Sequence, residues 1–157
     1  MELPIRGERL AGLLPHSGTM CLLDAVSAWD EQQIHCIARS HLSADNPLRQ
    51  GGRLDALTAI EYAGQAMAIH GSLLQLKAQG GAETEPFAPA QGYLAGVNQC
   101  TLYCEDLSQI EEALEILCQR LMADSKGQLY GFEVKAAGRL LACGRVTVIL
   151  ASPGTDD

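Results

Sequence analysis

One long and almost uninterrupted apolar segment in the middle of the chain constrains the fold more than any other feature. It runs from Asp55 to Lys77, and the only charged side chain between those two ends is Glu61. Asp55 is a favoured N-cap residue, and the glycines at 80 and 81 are typical of a helix end. The segment predicts a helix about 35 Å long, at about 1.5 Å per residue. Because it is apolar on nearly every side, we expect other structure to cover most of it.

Strand-like segments lie on both sides of the predicted helix. Residues 21–28 and 33–41 predict a hairpin, with a polar turn at Asp30 and Glu31. Four apolar segments follow the helix and predict a meander of antiparallel strands: GYLAGVNQCTLYCED, ALEILCQRLMADS, LYGFEVKAAG and LLACGRVTVILAS. The second of them also has helical spacing, and taken alone it predicts a helix. We assign it as a strand because strands lie on both sides of it.

These elements fit a single domain, 1–157, in which an antiparallel sheet wraps around one long central helix. This α+β arrangement is the hotdog fold. A chain of 157 residues with 47% hydrophobic residues is long enough for one core. The domain would start with an N-terminal segment, 1–18, and contain a loop at 78–91. Such a sheet exposes an edge, and we expect two copies to pair these edges in a homodimer.

Composition argues against several classes of function. The formal net charge of −8 repels phosphate backbones, so nucleic acid is a poor partner. No apolar stretch reaches about 18 residues and no secretory signal is recognisable, so we expect a cytoplasmic protein without a membrane span. The six cysteines are scattered singly, without the spacing of zinc sites or disulfide frameworks, so we expect reduced thiols and no metal.

Glu61 is the first candidate for chemistry, because a carboxylate in an otherwise uncharged helix needs an explanation. Burial raises the pKa of a carboxyl group, which suits it to act as a general acid near neutral pH. The alternative is a glutamate that reaches solvent or makes a structural hydrogen bond. Gln65 lies one turn further along the same face. It would orient the carboxyl, or else is a polar residue that faces a loop.

The catalytic base is sought among the four histidines, since a neutral imidazole suits proton abstraction next to a carbonyl. His16 follows a proline in an irregular segment ahead of the first strand, and it is the preferred base. An exposed or capping histidine is the alternative there. His35 and His41 would share one face of a strand and are weaker candidates. His70 lies on the opposite helix face from Glu61 and is predicted to be structural.

Backbone groups would complete the candidate site. Gly51 and Gly52, followed by the helix start at Ala56, offer N–H groups and the positive end of a helix dipole to a developing oxyanion. The alternative is that the two glycines simply form a turn.

The chain resembles the hotdog 3-hydroxyacyl-[acyl-carrier-protein] dehydratases, in particular the predicted dehydratases of aryl-polyene pigment clusters. The resemblance covers the chain from LLPH to VTVIL and is carried by four motifs: LLPHSGTMCLLDAV, NPLRQGG, AIEYAGQAMAIHG and GYLAGV. It implies that Glu61 is the catalytic acid of the central helix, that Gln65 is the glutamine that follows it, and that His16 belongs to the PH dipeptide. It also places a strand in ALEILCQRLMADS.

One departure from this family concerns the loop before the helix. General fatty-acid dehydratases carry a catalytic histidine there in a GHFP motif, whereas this chain has QGGRLD. Either His16 is the base in this branch, which we favour, or the chain binds acyl groups without dehydrating them. The resemblance further implies a homodimer with tunnels near the subunit interface. It implies an acyl group delivered on the 4'-phosphopantetheine arm of an acyl carrier protein, and no metal or redox cofactor.

The expected reaction is syn elimination of water from a 3-hydroxyacyl thioester. His16 would take the C2 proton and Glu61 would protonate the departing hydroxyl, while backbone N–H groups near Gly52 and Ala56 hold the thioester oxygen. Arg49 and Arg53 are candidates for the patch that binds the acidic carrier protein. Two alternatives remain: a hotdog thioesterase, or a non-catalytic heterodimer partner of another hotdog chain.

Overall fold

The structure is a computed structural model that describes residues 2–14, 20–80 and 92–150. Its elements, in chain order, are β1 (Ile5–Arg6), α1 (Gly7–Ala11), β2 (Ala25–Trp29), β3 (Gln33–Ala38), α2 (Ala59–Ala78), β4 (Gly92–Leu102), β5 (Leu114–Ala123), β6 (Gly127–Ala136) and β7 (Arg139–Leu150). Single 3₁₀ turns occur at Ser40–Leu42, Ala56–Thr58 and Leu107–Gln109.

The long helix forms where the apolar segment predicts it. The Asp55 carboxylate accepts the Leu57 N–H at 2.8 Å, so Asp55 caps the 3₁₀ turn Ala56–Thr58, whereas the N-cap of the long helix itself is Thr58. One 3₁₀ turn intervenes before α2 begins at Ala59. The helix ends at Ala78, and Gly80 then adopts a left-handed φ of 85°, a conformation that glycine tolerates without strain.

All strands join one antiparallel sheet in the order β1-β2-β3-β5-β6-β7-β4. The predicted hairpin is confirmed as β2 and β3, and the Asp30 carboxylate accepts the N–H groups of Gln32 and Gln33 in its turn. The ambiguous segment is strand β5, because it pairs with β3 on one side and β6 on the other. Side chains therefore alternate between the core and the outer face, and the helical spacing within the segment is overridden.

The predicted four-strand meander is wrong for its first member. β5, β6 and β7 follow one another as predicted, but β4 pairs with β7 instead of β5. After β4, the chain crosses the start of the helix. There the Ala56 N–H donates to the Glu105 carbonyl, and the Leu107 N–H donates to the Leu54 carbonyl. This crossing leaves β4 at one end of the sheet.

Helix α2 covers only part of this sheet. It packs on β3, β5 and β6, and its buried side chains share one core with theirs. β4 extends beyond this cover, so Leu94 and Val97 are 43% and 45% exposed. Leu94 still reaches the helix at Gly64, where an added Cβ would meet its Cδ1 atom at 3.3 Å. The sheet thus wraps around the helix but exposes the helix-facing side of its last strand.

The chain outside the main sheet and helix was only coarsely predicted. Ile5 of the N-terminal segment pairs with Val26, and both are fully buried. The predicted loop at 78–91 begins one residue later than expected, and residues 81–91 lie outside the described part of the chain. Within the described ranges, no helix has the length and apolar character needed to cross a membrane.

Candidate functional site

Glu61 lies in the first turn of α2 and its side chain is exposed in the single chain. The predicted burial of this carboxylate is therefore wrong for one protomer by itself. Helix periodicity places Glu61, Gln65 and Ser72 on one stripe of α2, at positions i, i+4 and i+11. Leu94 approaches the helix at Gly64, beside this stripe.

Gln65 makes different contacts from those predicted. Its Oε1 atom accepts the Leu22 N–H at 2.8 Å, and its Nε2 atom donates to the Met20 carbonyl at 2.9 Å. The amide therefore holds the chain that enters β2, and no bond from it to Glu61 appears among the described residues. The prediction that Gln65 orients the Glu61 carboxyl is therefore wrong for the single chain. The Gln65 side chain turns instead toward the backbone at residues 20–22.

A buried polar cluster contacts the same stretch of backbone at the Leu22 carbonyl. The Ser40 hydroxyl donates to the Leu22 carbonyl at 2.7 Å and lies 2.7 Å from the Tyr62 hydroxyl. The Asn46 amide donates to that tyrosine hydroxyl at 3.1 Å. Sequence reasoning missed these three residues. The available signal was Asn46 itself, an amide directly before a proline in a turn-rich loop, but its partners are distant in the sequence.

His16, the preferred base, lies within residues 15–19 and thus outside the described residues. Its role as the catalytic base stays a prediction. The described chain ends at Leu14 on one side and resumes at Met20 on the other.

Two of the remaining histidines are bound to the core by hydrogen bonds. The His41 Nε2 atom lies 3.0 Å from the carbonyls of Ile110 and Glu112, so this nitrogen carries the proton and donates to both. Burial lowers the pKa of His41. The expectation that His41 shares a strand face with His35 is wrong, because β3 ends at Ala38 and His41 is in a 3₁₀ turn.

His70 is fully buried, as a structural histidine would be, and this prediction is confirmed. Its Nε2 atom lies 2.7 Å from the Asp30 carbonyl, which can only accept, so Nε2 carries the proton. Its Nδ1 atom then accepts the Tyr130 hydroxyl at 2.6 Å. Burial lowers the pKa of His70, and the hydrogen bond to the Asp30 carbonyl only partly opposes this. The imidazole is therefore neutral.

The backbone groups proposed for an oxyanion differ in their availability. The Ala56 N–H donates to the Glu105 carbonyl at 2.9 Å, so the predicted oxyanion contact of Ala56 is wrong in this arrangement. Gly51 and Gly52 form a turn with φ values of 60° and 78°, closed by hydrogen bonds between Gln50 and Arg53. Both glycines are exposed, and their part in binding an oxyanion stays a prediction.

The two arginines of the predicted carrier patch also differ. Arg49 donates to three carbonyl oxygens of its own loop, those of His41, Ser43 and Gly52. Its guanidinium is thus used to hold the loop. The Arg53 side chain is 60% exposed and lies 3.8 Å from the Asp106 carboxylate. Arg53 is the more accessible of the two.

Asp106 connects the start of the helix to the segment after β4. It accepts the Leu54 N–H at 2.9 Å and both the N–H and the hydroxyl of Ser108, at 2.9 and 2.6 Å. The Ser108 hydroxyl and the Leu54 N–H lower the pKa of Asp106 to about 2. This carboxylate therefore stays ionised and helps to fix the turn that leads to Glu61.

A groove of about 300 Å³ lies on the sheet face opposite α2. It is lined by residues such as Leu117, Gln119 and Glu133, which alternate with the buried residues of β5 and β6. The groove is therefore separate from the Glu61 stripe. Among residues 2–14, 20–80 and 92–150, no group of three or more histidine, cysteine, aspartate or glutamate side chains is arranged to hold a metal.

Comparison with known protein families gives one match over most of the chain. Residues 8–155 match the family described as ApeP-like, ApeP dehydratase. The match spans most of the chain and confirms the resemblance carried by the sequence motifs. Among curated proteins, no sequence is significantly similar to this chain.

Solved structures similar to this chain share its fold. A structure described as the dehydratase heterocomplex ApeI:P from Xenorhabdus doucetiae aligns with a TM-score of 0.76 and 24% identity, over 98% of this chain and 94% of that one. Cj0977, a virulence protein from Campylobacter jejuni, aligns with a TM-score of 0.58 and 14% identity, over 94% and 100%. Thioesterase HI1161 from Haemophilus influenzae aligns with a TM-score of 0.55 and 13% identity, over 82% and 78%. The hotdog fold is thereby confirmed.

Proposed function

Because the chain belongs to the ApeP-like dehydratase family, we propose that it removes water from 3-hydroxyacyl thioesters carried on the phosphopantetheine arm of an acyl carrier protein. The product is a trans-2-enoyl thioester, as aryl-polyene or fatty-acid synthesis requires, and the reaction takes place in the cytoplasm. The single observation that carries the proposal is the family match over residues 8–155. The exposed Glu61 side chain in the first turn of the central helix supports it.

The elimination needs one base and one acid. His16 takes the proton from C2, the C2–H electron pair forms the C2–C3 double bond, and the C3–O bond breaks. Glu61 protonates the departing hydroxyl, which leaves as water. The N–H groups of Gly51 and Gly52 hold the thioester oxygen while it carries negative charge. Only protons are transferred, so the step requires no redox cofactor.

A second hotdog chain would complete this site. In one protomer Glu61 is exposed, whereas a carboxyl that stays protonated near neutral pH needs a shielded environment. The sheet ends at β4, and this strand exposes the apolar side chains of Leu94, Val97 and Leu102. An unpaired edge with exposed apolar residues favours pairing with another chain. The partner is a second copy or, as in the heterocomplex ApeI:P, a different hotdog chain.

The acyl carrier protein would approach on the side of the helix start. Arg53 is largely exposed there, and a basic side chain suits an acidic carrier. Arg49 holds its own loop with three hydrogen bonds and contributes less to this contact.

The test is an assay of the chain, alone and mixed with a hotdog dehydratase chain, on a 3-hydroxyacyl carrier substrate. Formation of the enoyl chromophore supports the proposal. Glu61→Gln and His16→Ala should each lower the rate by about 10²- to 10⁴-fold, as expected for loss of a general acid or base. Glu115→Gln, an exposed carboxylate on β5, is the matched control and should keep the full rate.

Two results would overturn the proposal. Release of free thiol without an enoyl product would instead identify a thioesterase. A full rate in Glu61→Gln or His16→Ala, in a mixture that is active, would identify a chain that supports a catalytic partner and contributes no acid or base of its own.

A further inference from the structure

The guanidinium group of Arg49 lies inside the loop that precedes the helix. Its Nε atom donates to the Ser43 carbonyl at 2.8 Å, its Nη2 atom to the His41 carbonyl at 3.1 Å, and its Nη1 atom to the Gly52 carbonyl at 3.2 Å. The first two acceptors come before Arg49 in the chain, and the third comes after it. One side chain therefore joins the two ends of the loop.

The Gly52 carbonyl belongs to a tight turn between Gln50 and Arg53. The Gln50 N–H donates to the Arg53 carbonyl at 2.9 Å, and the Arg53 N–H donates to the Gln50 carbonyl at 3.1 Å. Gly51 and Gly52 have φ values of 60° and 78°, as a type I′ turn requires. A Cβ atom at either glycine would meet no heavy atom of the described residues within 4 Å. Glycine is thus required here for the backbone conformation and not for space.

The polar groups of this turn differ in their contacts. The N–H groups of Gly51 and Gly52 donate to no acceptor among residues 2–14, 20–80 and 92–150, and both glycines are exposed. The peptide that follows Gly52 is bonded at both polar groups, because Arg49 binds its C=O and the Gln50 carbonyl accepts its N–H. Arg49 therefore helps to set the direction of the turn, while the two glycine N–H groups lie at its exposed tip.

The same loop is attached to the first turn of α2, next to Glu61. The Asn46 amide donates to the Tyr62 hydroxyl at 3.1 Å, and Asn46 is only 4% exposed. Its carbonyl accepts the Arg49 N–H at 3.1 Å. Arg49 thus starts from backbone that is bonded to the residue after Glu61, and its side chain reaches from there to the turn. These contacts fix the turn relative to the helix that carries the proposed acid.

The geometry distinguishes two roles that an arginine can have in this loop. An arginine that contacts an acidic carrier needs an accessible charge, which a lysine also supplies. An arginine that holds several carbonyl groups needs its planar fork of donors, which an ammonium group does not reproduce. The Arg49 side chain is partly buried, and each of its nitrogens donates to a different carbonyl, so the second role fits it.

We propose that Arg49 is a positioning residue, which holds the Gly51–Gly52 turn in the orientation that binds the thioester oxygen and acts on the reaction through that turn. This inference rests on the proposed function, which assigns the thioester oxygen to these two N–H groups. It gives Arg49 a task different from contact with the carrier protein. Displacing such donors lowers the rate, because they stabilise the developing negative charge only at the correct distance.

The first experiment is hydrogen exchange, which requires no activity. The Arg53 N–H is protected by the Gln50 carbonyl within the turn, so Arg49→Lys should raise its exchange rate at least about tenfold in the full chain. Arg39→Lys is the matched control and should leave that rate unchanged, because the exposed Arg39 side chain makes no hydrogen bond or ion pair with the described residues. An unchanged Arg53 rate in Arg49→Lys would overturn the proposal.

The second experiment measures kcat and KM of Arg49→Lys in the active complex. Lysine keeps the charge but does not hold the three carbonyls, so kcat should fall by about 10- to 100-fold, with KM changed less than kcat. The same loss of kcat should appear with a carrier-free 3-hydroxyacyl pantetheine thioester, and Arg39→Lys should keep the full rate on both substrates. A full rate in Arg49→Lys, or a loss seen only with the carrier substrate, would overturn the proposal.

A double-mutant cycle distinguishes positioning of the turn from a purely structural role, with rates compared for equal amounts of folded complex. Gly52→Ala strains the turn at a positive φ and should itself lower kcat. In this background the orientation of the turn is already lost, so Arg49→Lys should cost less than about twofold in kcat. Equal losses in both backgrounds would show that Arg49 acts elsewhere in the fold, and the positioning role would then be wrong.

The two proposals fail in different ways. If the unmodified complex forms no enoyl product while Arg49→Lys still accelerates exchange at Arg53, the dehydratase function and the positioning role are both overturned, and only a structural contact is left. If the unmodified complex is active but Arg49→Lys keeps the full kcat, the positioning role alone is overturned.

Discussion

Polar side chains on the two opposite faces of the central helix lie in different environments. On one face, His70 is fully buried between the Tyr130 hydroxyl and the Asp30 carbonyl, and Trp29 packs edge-on against its ring at a centroid distance of 6.5 Å. On the other face, Glu61 is exposed and Gln65 holds a separate segment of backbone. Both ring nitrogens of His70 therefore have their hydrogen-bond partners within the single chain.

Because of this difference, we expect His70 to contribute to the stability of the fold and Glu61 to be available for chemistry. A buried polar group whose two nitrogens are both hydrogen-bonded contributes to the fold and is costly to disturb. An exposed carboxylate on the same helix contributes little to the fold and is available to a substrate or a partner. The comparison therefore predicts a large effect on unfolding from substitution of His70 and a small one from substitution of Glu61.

His70→Ala should have the largest effect on stability. It leaves a cavity in the core and removes the partner of the buried Tyr130 hydroxyl, so the free energy of unfolding should fall by about 3 to 5 kcal/mol. Urea unfolding monitored by circular dichroism measures this change. His35→Ala, at a half-buried position on β3, is the control and should cost about 1 kcal/mol or less. A loss below about 1 kcal/mol at His70 would show that the two faces are equivalent.

The pH dependence of stability should show an intermediate effect. Burial lowers the pKa of both His41 and His70 in the folded state. The unfolded chain therefore binds protons below about pH 6.5 that the folded chain does not, and stability is full above this pH and falls as the pH decreases through it. We expect a loss of about 1 to 2 kcal/mol between pH 7.5 and 5.5, with each histidine limited to about 1.4 kcal/mol per pH unit.

Urea unfolding at several pH values tests this loss. The lowered pKa of Asp106, about 2, affects stability only in more acidic solution, so Asp106 does not contribute to the change between pH 7.5 and 5.5. In His70→Gln, the loss should be roughly half as large, because only His41 remains. Stability that rises toward pH 5.5 would contradict the assignment of both histidines as neutral core residues.

The contrast between the faces also explains what the sequence could predict. The apolar run from Asp55 to Lys77 predicts a covered helix, and the nine-residue step from Glu61 to His70 correctly places the histidine on the opposite face. The strand character of β5 follows from its neighbours. The pairing of β4 with β7 does not, because alternation predicts which side of a strand is buried but not which strand lies beside it.

The placement of Glu61 and Gln65 on one helix face was predictable from the sequence, but their contacts were not. Glu61 and Gln65 stand out as polar positions in an apolar helix, and their spacing places them on one face. The partners of Gln65 are 43 and 45 positions away in the sequence, so no local pattern indicates them. In the same way, the Ala56 N–H is occupied by Glu105 because the β4–β5 connection crosses the helix start, a consequence of the unpredicted strand order.

Glu61→Gln should have the smallest effect on stability. The side chain is exposed in the protomer, and glutamine has the same length and a similar helix propensity, so the free energy of unfolding should change by less than about 0.5 kcal/mol. Urea unfolding of the isolated chain at pH 7.5 gives this value, measured beside His70→Ala under the same conditions. A loss above about 2 kcal/mol would mean that the carboxylate is bound within the protomer. The two faces of the helix would then be alike, and any activity lost in Glu61→Gln could no longer be separated from unfolding.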